Sequence, residues 1–123
     1  MPEERQFYIV SLKHTLRLHR YITVWRPDNA GYAFPLIWAG KYYELDVRAE
    51  LDYYNNGCST VAVPCDVLDQ IAIPPMPGEI DNDVGPVVPN NAESWRRILA
   101  NVISEPAYDP RPEYKGARYR KTA

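Results

Sequence analysis

The sequence predicts a small α+β domain with a mainly antiparallel β-sheet, two or three short helices, a long proline-rich loop and an extended C-terminal tail. β-branched and aromatic residues, which favour strands, cluster at residues 7–13, 21–25, 32–38 and 59–63. Helix signals are confined to short segments between and after these clusters. The 123 residues fit a single domain, which we place at residues 1–105, followed by a tail at residues 106–123.

The first two clusters form a predicted antiparallel hairpin. Residues 14–20 between them are polar and basic and contain neither Gly nor Pro, which indicates an extended loop. Residues 26–31 then carry the Pro, Asn and Gly of a turn. Because proline cannot donate to a sheet hydrogen bond, Pro35 predicts that the third strand is an edge or bulged strand.

Three short helices are predicted. The first covers residues 46–53, where an acidic start complements the positive end of the helix dipole, and the second covers residues 65–71 after Pro64. Asn91 is the predicted N-cap of the third helix. Its apolar face consists of Trp95, Ile98, Leu99, Val102 and Ile103. Five prolines in residues 73–91 leave no periodicity, so that stretch is predicted to be a long extended loop.

Residues 106–123 form the predicted tail. Prolines alternate there with Tyr108, Tyr114 and Tyr119, and three of the last six residues are basic. Because the tail contains few aliphatic residues to bury, we expect it to be mobile or to become ordered on a partner.

Cysteine and histidine spacing predicts neither a disulfide nor a metal site. Cys58 and Cys65 are too few for a disulfide scaffold, and we expect both to be free thiols. With His14 and His19 they would make a zinc set, but six residues separate the cysteines, whereas about two to four are usual. We therefore expect no metal and no other cofactor.

The N-terminal sequence and the hydropathy pattern predict a cytoplasmic protein. The chain has no run of apolar residues long enough to cross a bilayer. Three of its first five residues are charged and two of these are acidic, whereas a signal peptide needs a basic segment followed by an apolar one. We expect no contact with a membrane.

Charge and aromatic residues are both distributed unevenly. The net charge is +2 in residues 1–45, −8 in residues 46–94 and +4 in residues 95–123. Eleven of the fifteen aromatic residues lie in residues 7–54. Rings interleaved with cations can stack a flat base and hold its phosphate, although rings of this kind also serve as core and cross-strand packing residues. The candidate binding residues are Lys13, His14, Arg17, Arg20, Trp25, Arg26 and Tyr32, together with Tyr119 of the tail.

Several short motifs carry a resemblance. They are SLKHT at 11–15, YIT at 21–23, WRPDN at 25–29, GY at 31–32, WAG at 38–40 and YYN at 53–55. In these motifs the chain resembles a family of small uncharacterised proteins of tailed bacteriophages and prophages. The likeness covers residues 7–70 and supplies no active site. It implies a phage accessory protein, and genes of that size commonly encode proteins that bind a host defence complex or sequester a nucleotide signal.

We therefore expect a non-catalytic binding protein in the cytoplasm of the host cell. Its expected role is antagonism of a bacterial defence system, as an anti-CRISPR-like inhibitor of an effector complex. One alternative is a sponge that binds a nucleotide second messenger through aromatic and Arg residues. Others are a phage structural or assembly protein and an enzyme that acts on nucleotides through Ser11 and His14. The oligomeric state stays open, a homodimer included.

Overall fold

Five strands and four α-helices make up the fold in the computed structural model, which describes residues 5–118. The strands are β1 (Gln6–Ser11), β2 (Val24–Trp25), β3 (Tyr32–Ala33), β4 (Tyr42–Tyr43) and β5 (Thr60–Pro64). The helices are α1 (Glu44–Ala49), α2 (Leu51–Tyr54), α3 (Cys65–Ile71) and α4 (Ala92–Leu99). The predicted α+β class, with a mainly antiparallel sheet and short helices, is confirmed.

Strand β1 lies at the centre of the sheet because both of its edges are paired. β5 runs antiparallel along one edge, from the pair Phe7–Pro64 to the pair Ser11–Thr60. The other edge pairs with β4 at Phe7 and with β2 at Val10, both antiparallel. β3 pairs with β2 and is the last strand in this direction. The predicted hairpin and the edge position of the third strand are both confirmed.

Side chains of β1 alternate between two cores, as the period of a strand requires. Tyr8 and Val10 belong to the first core, which is completed by residues of α3 and α4 that include Leu68 and Trp95. Phe7 and Ile9 belong to the second core, where they pack with Val47, Trp25, Tyr42, Tyr54 and Ala62. Helices therefore cover both faces of β1, and every residue from Phe7 to Ser11 is buried.

Several elements are shorter than predicted or are divided. The first strand ends at Ser11 and the second covers only Val24–Trp25 of the predicted residues 21–25. The third strand ends at Ala33, and Leu36–Trp38 form a 3-10 turn after Pro35. The first predicted helix is divided into α1 and α2 because Glu50 has non-helical dihedral angles, with φ −139° and ψ 55°. Helix α4 ends at Leu99 because the chain turns back to β5, where the N–H of Ile103 donates to the carbonyl of Ala62 at 2.9 Å.

Residues 73–91 form a loop without regular helix or strand, as predicted, but this proline-rich loop folds back on itself, with a 3-10 turn at Asp81–Asp83, and it is attached to the domain near both of its ends. Ile73 forms an antiparallel bridge with Val87, and Pro89 forms another with Tyr21. The Tyr21 hydroxyl also accepts a hydrogen bond from the N–H of Met76 at 2.8 Å. Val87 and the adjacent Val88 are fully buried. The loop therefore contributes to the core as well as lying on the surface.

The described part of the tail packs on the domain, which corrects the expectation of a mobile segment for residues 106–118. The N–H of Tyr108 donates to the carbonyl of Asn56 at 3.0 Å. Gly57 beside it has φ +84°, and a Cβ at this position would lie 1.9 Å from the carbonyl oxygen of Tyr108. Further along the tail, Tyr114 packs against the first core and Ala117 is buried. Few aliphatic residues are needed because backbone hydrogen bonds and one tyrosine ring dock the segment.

The side chain of Asn90 joins the tail, the loop after β1 and helix α4. Its Oδ1 accepts a hydrogen bond from Nε1 of Trp95 at 2.7 Å. Its Nδ2 lies 3.2 Å from the carbonyl oxygen of Leu16 and 3.0 Å from those of His19 and Glu113. Asn90 is 9% exposed. One buried amide therefore provides hydrogen-bond partners for polar groups of three segments that are distant from one another in the chain.

None of the helices in residues 5–118 is long and apolar enough to cross a membrane.

Replacing Asn90 by Ala is expected to lower the free energy of unfolding by about 2–4 kcal/mol, because it leaves the buried indole N–H of Trp95 and nearby carbonyls without partners. Urea denaturation followed by circular dichroism measures the loss. The matched control is Asn101→Ala, because within residues 5–118 the exposed amide of Asn101 bonds only the carbonyl of Arg97, a contact worth less than about 0.5 kcal/mol. Equal losses in the two variants would contradict the role of Asn90.

Candidate functional site

Two cavities lie on either side of His19, which lines both. The first, which we call the aromatic cleft, has a volume of about 430 Å³. Half of its twelve lining residues carry an aromatic ring, an imidazole or a guanidinium, and they are His14, His19, Tyr32, Phe34, Trp38 and Arg26. The second, which we call the basic cavity, has a volume of about 480 Å³. Its polar lining consists of Arg17, His19, Arg20, Asn90, Asn91 and Lys115.

The turn that follows β2 positions the guanidinium of the aromatic cleft. The N–H of Arg26 donates to the carbonyl of Gly31 at 2.8 Å, and Gly31 has φ +113°, a conformation that favours glycine. The Arg26 Nε then donates to the carbonyl of Tyr32 at 2.9 Å. This bond holds the Arg26 Cζ 5.2 Å from the ring centroid of Trp38, within cation–π distance.

The two histidines enter the aromatic cleft from the loop after β1. The His14 ring lies 4.2 Å from the Tyr32 ring between centroids, and the Thr23 hydroxyl donates to the His14 carbonyl at 2.9 Å. The His19 ring meets the edge of Phe34 at 5.5 Å. The His19 Nδ1 accepts a hydrogen bond from the N–H of Leu16 at 3.1 Å, which leaves the proton of the neutral imidazole on Nε2.

Carboxylates of the proline-rich loop form one rim of the aromatic cleft. Glu79 and Asp81 both line it. Glu79 forms an ion pair with the Nε of Arg20 at 2.8 Å. Because Arg20 lines the basic cavity, this ion pair runs from one cavity to the other. An ionised carboxylate only accepts hydrogen bonds, so this rim is suited to a ligand that carries N–H donors.

Cations dominate the basic cavity. Arg17, Arg20 and Lys115 line it, and no carboxylate of residues 5–118 does so. Arg17 also holds the tail, because its Nη2 pairs with Glu113 at 2.8 Å and its Nη1 donates to the carbonyl of Ala117 at 2.9 Å. Lys115 has no ion-pair partner within the described part of the chain.

Of the seven candidate residues that the structure describes, five line the two cavities and two, Lys13 and Trp25, do not. His14, Arg26 and Tyr32 line the aromatic cleft. Arg17 and Arg20 line the basic cavity. Lys13 is exposed but borders neither of these two cavities. Tyr119 lies outside the described residues.

Trp25 is a core residue, which corrects its prediction as a surface binding residue. It is 9% exposed and lies edge-on to Tyr53 at 5.3 Å, to Tyr54 at 5.8 Å and to Tyr32 at 6.5 Å. Its buried indole N–H has no hydrogen-bond partner among the described residues. The side chain supports Tyr32 from behind instead of touching a ligand.

Several cavity residues were not among the sequence candidates for binding, and they include His19, Glu79, Asp81, Phe34, Trp38, Lys115 and Asn90. Phe34 and Trp38 belong to the aromatic cluster of the sequence, which is the only signal that could have found them. Lys115 reaches the basic cavity because the tail folds back, and Asn90 does so because its amide bonds the loop after β1. Neither contact leaves a pattern in the sequence.

A larger cavity, of about 770 Å³, shares no lining residue with these two and is predominantly acidic. Asp28, Asp46 and Glu50 line it with a single lysine, Lys41. The Tyr42 hydroxyl at its wall donates to the carbonyl of Arg26 at 2.5 Å and accepts from the N–H of Asn29 at 3.0 Å. Burial raises the pKa of Tyr42, although the bond from Asn29 opposes the shift. This hydroxyl therefore braces the turn that carries Arg26.

A further group of titratable side chains surrounds Tyr8. Its hydroxyl donates to Oδ1 of Asp69 at 2.8 Å, and burial, reinforced by this bond, raises the pKa of Tyr8. Burial also raises the pKa of the Cys65 thiol to about 12, with a further contribution from the charge of Asp69. Cys65 is therefore protonated at neutral pH, and thiols in that state are poor nucleophiles.

Cys58 and Cys65 are both free, as expected. Within residues 5–118, no group of three or more His, Cys, Asp and Glu side chains is placed to hold a metal ion.

Comparisons with protein-family models, with curated proteins and with solved structures found no match for this chain.

Iodoacetamide at pH 8 is expected to modify Cys58, which is exposed, and to leave Cys65 unmodified. With a pKa of about 12, the thiolate fraction of Cys65 at this pH is on the order of 10⁻⁴. Mass spectrometry of peptides before and after unfolding in urea measures both sites. The Cys58→Ser variant is the control, since its native form should gain no label and its unfolded form should gain one. Equal native labelling of the two cysteines would contradict the burial of Cys65.

Proposed function

We propose that the protein is a non-catalytic binding protein whose ligand is a nucleotide. The observation that carries the proposal is the aromatic cleft, where the rings of five side chains, two of them imidazoles, and the stacked guanidinium of Arg26 surround about 430 Å³. Rings and guanidinium planes are the groups on which nucleic-acid bases stack, and each stacked base contributes roughly 1–3 kcal/mol. Tyr32, which is 45% exposed, and Trp38, which is 37% exposed, remain accessible to such a base.

The acidic rim narrows the class of base. Glu79 and Asp81 can accept hydrogen bonds from an exocyclic amino group, which adenine, guanine and cytosine carry and uracil and thymine lack. Asp81 is exposed and lies in the 3-10 turn Asp81–Asp83 of the proline-rich loop. A purine with an amino group offers both the large ring surface for stacking and the donor for this rim.

Binding without catalysis is supported by the surroundings of Ser11. This residue is buried, and its hydroxyl oxygen accepts a hydrogen bond from the backbone N–H of His14 at 3.0 Å. The hydroxyl is thus committed to shaping the loop after β1. The role of His14 in this proposal is to pack against the Tyr32 ring in a tilted contact and to form a wall of the cleft.

The resemblance to phage and prophage proteins suggests the setting in which nucleotide binding would be useful. A phage protein that sequesters a nucleotide signal would withhold it from a host defence system. The proposed role is therefore that of a cytoplasmic nucleotide sponge in the infected cell.

Inhibition of a defence effector complex is the second candidate function. It is favoured by the exposed side chains of Tyr32, Trp38 and Ile37 at and beside the mouth of the aromatic cleft. Tyrosine and tryptophan are common anchors of protein interfaces. In that role the cleft would receive a side chain of the complex in place of a base.

Replacing Tyr32 by Leu is expected to weaken binding of adenosine 5′-monophosphate about tenfold, because one stacking face of the cleft is lost. Isothermal titration calorimetry measures the dissociation constants. The matched control is Tyr108→Leu, since Tyr108 is exposed and borders neither the aromatic cleft nor the basic cavity.

Unchanged affinity in Tyr32→Leu, or an equal loss in Tyr108→Leu, would remove the aromatic cleft as the binding site. If wild-type protein binds no nucleotide but copurifies with a host complex in a manner that Tyr32→Leu abolishes, the second candidate function replaces the first.

A further inference from the structure

We infer that the basic cavity is the phosphate subsite of the same ligand, so that the protein binds a nucleoside phosphate across His19. The inference rests on the proposed function for the position of the base. It adds that the part of the ligand outside the aromatic cleft carries a phosphate group. It also assigns a role to the tail, which supplies Lys115 to this subsite.

The charge of the basic cavity favours an anion. Three cationic side chains line it, and two come from the loop after β1 while the third comes from the tail. Glu79 forms its ion pair with the Nε of Arg20. Both terminal nitrogens of that guanidinium can therefore donate hydrogen bonds to a ligand. Lys115 has no carboxylate partner among residues 5–118 and offers a complete ammonium group. Charge-assisted hydrogen bonds of this kind are the ones that proteins use to bind phosphate.

The arrangement of the cations favours phosphate over a planar carboxylate. Arg20 and Lys115 are 95 positions apart in the chain, and they meet only because the tail folds back over the loop. Donors that converge from separate segments match an anion whose oxygens point in several directions. The ordered side chain of Asn90 fixes this geometry, because it bonds the carbonyls of both His19 in the loop and Glu113 in the tail.

Two contacts connect the basic cavity to the aromatic cleft. The imidazole of His19 lines both, and the ion pair between Arg20 and Glu79 joins a residue of one to a residue of the other. A ligand that stacks its base beside Tyr32 would therefore pass its sugar along His19 and place its phosphate near Arg20 and Lys115. Adenosine 5′-monophosphate has this sequence of groups.

The test compares adenosine, adenosine 5′-monophosphate and inorganic phosphate by isothermal titration calorimetry. The monophosphate is expected to bind the wild-type protein about tenfold more tightly than adenosine, since it adds charge-assisted hydrogen bonds. Added sodium chloride should reduce this advantage, because salt screens exposed charges, and should leave adenosine binding unchanged.

Lys115→Gln is the diagnostic variant. It is expected to remove most of the advantage of the monophosphate and to leave adenosine affinity unchanged. Lys13→Gln is the matched control, because Lys13 is an exposed lysine that borders neither cavity. Arg20→Gln is a second test of the subsite. Arg17 is left intact because it holds the tail through Glu113 and Ala117.

The outcomes separate this inference from the proposed function. Equal affinity for adenosine and its monophosphate, with Tyr32→Leu still weakening both, would overturn the subsite and keep the aromatic cleft. Phosphate binding that depends on Lys115, without adenosine binding, would support the subsite and overturn the cleft. Equal losses of monophosphate affinity in Lys13→Gln and Lys115→Gln would indicate general attraction and overturn the subsite, as would no binding of either phosphate compound.

Discussion

The hydrogen bonds of one buried amide, that of Asn90, determine where the two cavities form. Oδ1 accepts from the indole of Trp95 in the first core, so the amide is held from the interior. Its Nδ2 faces carbonyls of both the loop after β1 and the tail. These two segments carry all three cations of the basic cavity, and the loop carries both histidines. The positions of all the proposed phosphate-binding groups thus depend on hydrogen bonds that the Asn90 side chain makes within the protein.

Ion pairs complete the same arrangement at the surface. Arg17 pairs with Glu113 of the tail, and Arg20 pairs with Glu79 of the proline-rich loop. Exposed pairs of this kind contribute little to stability, typically below about 1 kcal/mol. These ion pairs instead hold segments in place, because each connects the loop after β1 to a segment that is distant in the chain and borders a cavity. The charge segregation of the sequence therefore does not produce one free basic face, and part of the positive charge of the loop is used inside the molecule.

Local signals predicted the elements, whereas the assembly of the site depends on long-range contacts that leave no pattern. Pro64 and Asn91 correctly marked the starts of α3 and α4, and the strand-forming clusters predicted the central hairpin. The prediction of Trp25 as a binding residue is wrong because a ring near cations in the sequence can equally be a packing residue, and Trp25 packs in the second core with Phe7 and Ile9. The partners of Asn90 in the loop and the tail are 71–74 and 23 positions away. The tail was misjudged because its docking uses backbone bonds and a tyrosine ring, which composition does not reveal.

The most direct test of a single site shared by the two cavities is a ¹H–¹⁵N correlation spectrum titrated with adenosine 5′-monophosphate. The indole N–H of Trp38 and the backbone amides of Tyr32, Arg20 and Lys115 should shift along one saturation curve, while Ala49 beside the acidic cavity stays unchanged. Separate saturation curves for the two groups of signals, or shifts confined to the acidic cavity, would contradict a common ligand across His19.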